Sequence, residues 1–146
     1  MNGFLSAAQS ASGKFIKQGQ RFANPGDSVT LEVRGHTSRP KMIFGTSEPE
    51  VDKNGNQIME EMIEGLDYDA ESEEEAQVVL AVSKFAQKRA IGKALMDAGV
   101  SSLEPGGILK LTYTGLGTPA RPGAHPPKQF DAEYTAPEPG DTPWGA

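Results

Sequence analysis

The stretch AQVVLAVSKFAQKRAIGKALMDAG, residues 76–99, decides what fold to expect for the whole chain. Residues 76–83 form a continuous apolar run of strand length, which is typical of a central strand in a sheet. Helical spacing of apolar residues then covers 84–99, with Ser83 as the expected N-cap and Gly99 as the C-terminal stop. The stretch therefore predicts a buried strand followed by a helix.

On both sides of this unit the apolar residues recur with a period of two, which is typical of half-buried strands. The pattern occurs in NPGDSVTLEVRG (24–35), in EPGGILKLTYTG (104–115) and in KQFDAEYT (128–135). A shorter segment, PKMIFG (40–45), is interpreted as a second strand. Four strands are therefore predicted in addition to the one at 76–83.

The predicted order is strand, strand, strand, helix, strand, strand, which is the element order of an OB-fold. NPGDSVTLEV and EPGGILKLTY also resemble each other, since both start a strand from Pro-Gly. The sequence thus predicts a mainly β protein: a five-stranded OB-like barrel with one helix between strands 3 and 4. An α+β sandwich built from the same elements is the alternative.

Composition predicts that the chain is not compact throughout. Hydrophobic residues make up 36% of its 146 residues and the mean hydropathy is -0.48, which is low for a wholly folded chain. Residues 1–20, rich in Ser, Ala, Gln and Gly, are expected to form a flexible N-terminal arm. Residues 21–135 are the predicted OB-fold domain, and 136–146 a disordered acidic tail.

The net charge of -6 conceals a segregation of charge along the chain. Residues 48–75 carry twelve acids and one base, and are interpreted as an acidic excursion from the barrel. Residues 1–47 have a net charge of +4, residues 76–130 of +5 and residues 131–146 of -4. The alternation of sign is compatible with a polyanionic partner, although solvated loops are the better explanation of any single run.

Several classes of protein are disfavoured by what the sequence lacks. There are no cysteines, so disulfides and thiolate metal sites are excluded. No apolar run approaches the roughly 18 residues of a membrane span, so no membrane association is expected. The N-terminus has neither the basic start nor the apolar core of a secretion signal.

The sequence contains no complete catalytic, cofactor or metal motif, so we expect a non-enzymatic protein without cofactor. GLGTPA (115–120) matches a dinucleotide fingerprint, but the prolines that follow prevent the helix that such a site needs. The segment from Asp52 resembles a calcium loop, yet it has Gln57 where glycine is required and Ile63 where glutamate is required. Binding is the class of function that is left.

An OB barrel binds single strands by combining a basic groove with aromatic platforms on which bases stack. Phe44 is the aromatic candidate, the alternative being a core position. The helix bases Lys84, Lys88, Arg89 and Lys93 are interpreted as a solvated face. The basic candidates for DNA contact are Arg34, Arg39, Lys41, Lys110, Arg121 and Lys128.

The run from 88 to 135 resembles the C-terminal half of the small OB-fold single-stranded DNA-binding proteins of actinobacterial tailed phages. The similar parts are AIGKAL with AGV, LEPGG before a strand, and PPK followed by alternating Phe, Ala and Tyr. The resemblance implies binding and protection of single-stranded DNA in phage DNA replication or recombination, in the host cytoplasm. It implies no cofactor, and it leaves an oligomer possible. The alternative is a non-enzymatic phage structural or protein-interaction module that uses its acidic surface.

The last residues, PEPGDTPWGA (137–146), suggest a second binding element. Trp144 lies beyond the last residue with strand spacing, and the prolines around it prevent regular structure. With Glu138 and Asp141 it is interpreted as a hook for replication or recombination proteins, similar to the acidic tip of bacterial single-strand binding proteins. The alternative is an inert tail whose tryptophan packs on its own barrel.

Overall fold

The computed structural model describes residues 13–119 and 121–137. Within these ranges the protein is mainly β, as predicted, with six strands in one open sheet and three helices. The strands are β1 (Lys14–Phe15), β2 (Ser28–Pro40), β3 (Met59–Asp67), β4 (Gln77–Val82), β5 (Ile108–Leu116) and β6 (Lys128–Thr135). The helices are α1 (Gln18–Arg21), α2 (Glu73–Ala76) and α3 (Phe85–Asp97).

The long strand β2 joins the two halves of the sheet because it pairs on both sides. The strand order is β1-β4-β3-β2-β5-β6, and every neighbouring pair is antiparallel except β1 with β4. Residues 28–32 pair with β5, whereas 31–40 pair with β3. A register shift between Val33 and Gly35 marks a β-bulge, which bends the strand and increases its twist.

One face of the sheet and the inner side of α3 form the hydrophobic core. The predicted alternation is confirmed in β2 and β5, where the apolar phase is buried and the polar phase points away. Three aromatic side chains meet at one end of this core: Phe130 packs edge-on against Phe22 at 5.1 Å between ring centroids, and lies 5.7 Å from Tyr113. All three rings are buried.

The strand and helix predicted over 76–99 are both present. The helix is one residue shorter at its start than expected, because Lys84 occupies the N-cap position without a side-chain cap and Ser83 does not cap it. Its end follows the prediction: Gly99 has φ +77°, Gly99 N–H donates to the carbonyl of Met96, and Val100 N–H donates to that of Leu95. This is the Schellman arrangement that stops a helix at glycine.

The prediction of a five-stranded closed barrel is wrong in its strand count and its closure. Six strands are present among the described residues, and the sheet is open, with β1 and β6 at its edges. The extra strand comes from the segment expected to be a flexible arm. Lys14 and Phe15 pair in parallel with β4, and Ile16 N–H donates to the carbonyl of Val79 at 2.9 Å. Backbone groups along the edge of β4 thus gain partners that only this segment supplies.

The position predicted for the second strand is also wrong. Of the segment PKMIFG (40–45), only Pro40 belongs to β2, as its last residue. The strand that pairs with the second half of β2 is β3, which lies inside the segment interpreted as an acidic excursion. The core-facing positions of β3 include Glu61 and Asp67, so the strand lacks the regular apolar alternation by which a strand is recognised in a sequence. The structure accommodates both carboxylates because each has polar partners: His36 and Ser38 for Glu61, and Arg21 for Asp67.

Between β2 and β3 the chain makes an arm, residues 41–58, built from two small hairpins. In the first, backbone hydrogen bonds join 41–43 to 48–50; in the second, Asp52 pairs with Asn56. The loop of the second hairpin has three residues, 53–55, and contains Asn54-Gly55, a dipeptide typical of tight hairpin turns, with Gly55 at φ +84°.

Candidate nucleic-acid interface

The basic residues predicted around β2 are each held by a neighbouring acid. The pairs are Arg34–Glu32 at 3.2 Å, Arg39–Glu60 at 3.2 Å and Lys41–Glu50 at 3.6 Å. Such exposed pairs add little stability, but each one cancels a positive charge that the prediction assigned to phosphate contact. Each of these three bases therefore has a carboxylate partner within the fold.

Phe44 lies at the tip of the arm, and its side chain is 100% exposed. It occupies the corner of a turn that is closed by the Thr46 N–H, which donates to the carbonyl of Ile43. Gly45 follows with φ +78°, a conformation that suits glycine at this place in the turn. The core alternative for Phe44 is therefore wrong, and the ring is free to meet a partner.

The remaining predicted contacts point in different directions. Lys110 is exposed on the face of β5 opposite to the core, and Arg121 is exposed in the loop that follows this strand. Lys128 instead turns inward, where its Nζ donates to the carbonyl of Phe22 at 2.9 Å and lies 4.9 Å from the centre of the Tyr113 ring. The predicted residues therefore do not converge on one basic face.

The three residues predicted to form the partner-binding tail are Glu138, Asp141 and Trp144, and they lie outside the described residues.

A different set of residues does converge, in a groove between α3 and β6. The groove encloses about 1140 Å³. One wall is the helix, where Phe85, Arg89 and Lys93 follow at intervals of four residues and so lie in one stripe. The other wall comprises residues 128–133 of β6, and residues 125–127 of the preceding loop close one end. Lys128, from the predicted set, contributes to this lining.

Phe85 is the most distinctive residue of the groove. It is the first residue of α3, and its side chain is 76% exposed, although it is one of the largest apolar side chains of the chain. The core-facing positions of the helix are Gln87, Ala90, Ile91 and Ala94. Phe85 lies on the other side, so burial against its own sheet does not explain it.

The helix wall of the groove carries uncompensated positive charge. Within residues 13–119 and 121–137, neither Lys84 nor Arg89 nor Lys93 has a carboxylate within 4.0 Å. Acids are present elsewhere in the lining: Asp97 near the end of the helix, and Asp131 and Glu133 on the strand. The groove is therefore basic along the helix and acidic along the strand, and an anion is expected to lie against the helix.

This groove was missed because the helix bases were interpreted only as a solvated face. A signal was present in the sequence, since Phe85 is out of phase with the apolar residues that define the core side of the helix. A large aromatic side chain in phase with Arg89 and Lys93 is unusual for a face that meets only water. What the sequence could not supply was the opposing wall, because it depends on how β6 packs against α3.

A second polar cluster lies at the base of the arm. His36 Nε2 is 2.8 Å from Glu61 Oε1, and Ser38 Oγ donates to the same oxygen at 2.5 Å. Burial by itself raises the pKa of Glu61, but the hydrogen bonds from Ser38 and His36 and the charge of Lys88 outweigh it and lower the pKa. Because hydroxyl and imidazole both bind one carboxylate oxygen, the cluster joins β2 to β3 next to the arm.

Comparisons with known proteins give no family assignment: no family model matches the chain, and neither does any curated protein or solved structure. Among the residues described, no helix has the length and apolar character needed to cross a membrane.

Proposed function

We propose that this protein binds single-stranded nucleic acid, single-stranded DNA in particular, without sequence preference and without catalysis, through the groove between α3 and β6. One observation carries the proposal: an exposed aromatic ring, Phe85, lies in line with Arg89 and Lys93, neither of which forms an ion pair with a described residue. This is the combination by which proteins hold unpaired strands, since bases stack on the ring and phosphates meet the cations.

The connectivity of the sheet supports the same function. We interpret β2 to β6 as an OB-fold, because the order β4-β3-β2-β5-β6 is the order of that barrel opened between its third and fifth strands. The short strand β1 lies parallel to β4, at the edge where the closing strand is found in a barrel. OB-folds use the loop between their last two strands for binding, and here 125–127 of that loop line the groove.

The proposal changes the roles of the residues first predicted to contact DNA. Lys128 and Arg121 keep a role, since Lys128 lines the groove and Arg121 lies in the adjoining loop. Arg34, Arg39 and Lys41 lose theirs because glutamates neutralise them. The resemblance to phage proteins extends the proposal to protection of single strands during phage replication or recombination in the host cytoplasm, with the C-terminal tail recruiting partner proteins.

The test compares two exposed apolar residues of the same helix. Phe85→Ala should weaken binding to labelled oligo-dT by about 1–3 kcal/mol, the value of one stacked base. Met96→Ala is the control, because Met96 is 79% exposed but does not line the groove. Equal affinities for the two variants, with circular dichroism showing both folded, would refute this site.

A further inference from the structure

The arm, residues 41–58, has a surface that neither the sheet nor the groove explains. Its first hairpin carries three consecutive exposed apolar side chains: Met42 at 44%, Ile43 at 43% and Phe44 at 100% exposure. Val51, in the adjoining hairpin, is 52% exposed. Apolar side chains gathered at a protruding tip are typical of a contact site rather than of a solvated loop.

The charge beside this tip favours a basic partner. Glu48 and Asp52 flank the apolar residues, and neither forms an ion pair with a described residue. Of the two bases in the arm, Lys41 is held by Glu50 at 3.6 Å and Lys53 lies in the loop of the second hairpin, so the three acids of the arm exceed its bases by one. Carboxylates around Phe44 repel phosphate, so the ring suits a protein surface that is apolar in the middle and positive at the rim.

The groove between α3 and β6 has these complementary properties. Phe85, Pro126 and Pro127 provide apolar surface, and Arg89 and Lys93 provide positive charge on the helix wall, while Asp131 and Glu133 make the strand wall acidic. Its volume of about 1140 Å³ is larger than a single phenylalanine side chain needs. The apolar and acidic side chains of the arm are thus complementary to the apolar and basic side chains of the helix wall.

We propose that the arm of one copy of this protein docks into the α3–β6 groove of a second copy, with Phe44 as the anchor. The contact is head-to-tail, so it joins copies into a ring or an open chain. Since the arm and nucleic acid would use the same groove, binding of single-stranded nucleic acid should separate the associated copies. The self-association itself does not rest on the proposed function, because it needs only the groove and the arm.

The experiment is sedimentation equilibrium of the full chain over a range of concentrations, without nucleic acid, at low and at high salt. The expected result is an average mass that rises with concentration and falls with added salt. Phe44→Ala should weaken association about tenfold or more, as loss of an interface anchor does. Met96→Ala is the matched control, because Met96 is an apolar residue with 79% exposure that lies outside both surfaces, and it should leave association unchanged.

A charge exchange tests which surfaces meet. Glu48→Lys and Arg89→Glu should each weaken association, and an equimolar mixture of the two variants should recover part of it. A chain that stays monomeric at every concentration would overturn the proposal. So would a Phe44→Ala variant that associates normally, or one that loses oligo-dT affinity with no change in mass, since that would assign the tip to nucleic acid.

Discussion

Both terminal nitrogens of the Arg21 guanidinium donate hydrogen bonds to the carboxylate of Asp67, at 2.6 Å and 3.3 Å. Asp67 is the last residue of β3 and its side chain is 6% exposed, whereas Arg21 ends the short helix α1. A second acid, Asp69, lies 3.3 Å from the same guanidinium. This contact fixes the N-terminal segment to the middle of the sheet.

Removing the arginine should therefore destabilise the fold. Arg21→Ala leaves Asp67 buried without its charged partner, and a lost hydrogen bond to a charged group is expected to reduce the free energy of unfolding by about 1.5–3 kcal/mol. Arg34→Ala is the control, because its pair with Glu32 is exposed and exposed pairs contribute at most about 1 kcal/mol. Urea denaturation compares the two; equal stabilities would contradict a structural role for this pair.

The same contact predicts how stability depends on pH. Burial by itself raises the pKa of Asp67, but the hydrogen bonds from Arg21 and from the Asp69 N–H, with the charge of Arg21, lower it below its ordinary value. A carboxyl with a lowered folded-state pKa stabilises the fold above its unfolded pKa, about 3.9, and loses that contribution as pH falls through the folded pKa.

Between pH 7 and pH 3 the wild type should thus lose more stability than Asp67→Asn, which cannot titrate there. Urea midpoints at the two pH values measure the difference. The same loss in both proteins would show that other carboxyls govern the acid response.

The aromatic cluster predicts which rings hold the core. Phe130→Ala removes a ring that contacts both Phe22 and Tyr113, and should cost about 3–5 kcal/mol of stability. Phe44→Ala removes a fully exposed ring and should change the free energy of unfolding by less than about 0.5 kcal/mol. A comparable loss in the two variants, read from thermal or urea unfolding, would mean that the arm is part of the folded core.

Two glycines should respond in opposite directions to the same substitution. A Cβ on Gly65 would lie 2.7 Å from the backbone carbonyl oxygen of Glu32 in the neighbouring strand, so Gly65→Ala should destabilise by about 1–3 kcal/mol. A Cβ on Gly92, within α3, meets nothing within 4 Å. Gly92→Ala should therefore stabilise by up to about 1 kcal/mol, and a gain from both substitutions would contradict the close packing of β2 on β3.

The elements that the sequence predicts well are those whose own apolar pattern determines their structure, without compensating contacts from distant residues. The strand and helix over 76–99, and the strands that contain Leu31 and Leu111, bury their apolar phase against the core. In β2 and β5 the buried residues alternate with polar or partly exposed ones, whereas β4 is a continuous apolar run. Local pattern and tertiary packing agree there, so the pattern is sufficient.

The prediction fails at elements whose own sequence is unfavourable for their position, and which are stabilised there by residues distant in the sequence. β3 places Glu61 and Asp67 on its core-facing phase, and partners from β2 and α1, which are distant in the sequence, compensate for them. The candidate site shows the same limit, because Phe85 becomes part of a groove only through the packing of β6 beside α3. A sequence pattern records neither kind of distant contact.

The most direct test of the proposed function is a titration of the protein with labelled oligo-dT at several salt concentrations. About four cations of the groove should contact phosphates, so the logarithm of the binding constant should fall against the logarithm of salt with a slope of about -2 to -3. The double variant Arg89→Glu, Lys93→Glu should bind far more weakly and with a shallower slope, while Arg34→Ala should match the wild type. Binding that ignores salt, or that survives the double charge reversal, would contradict the account.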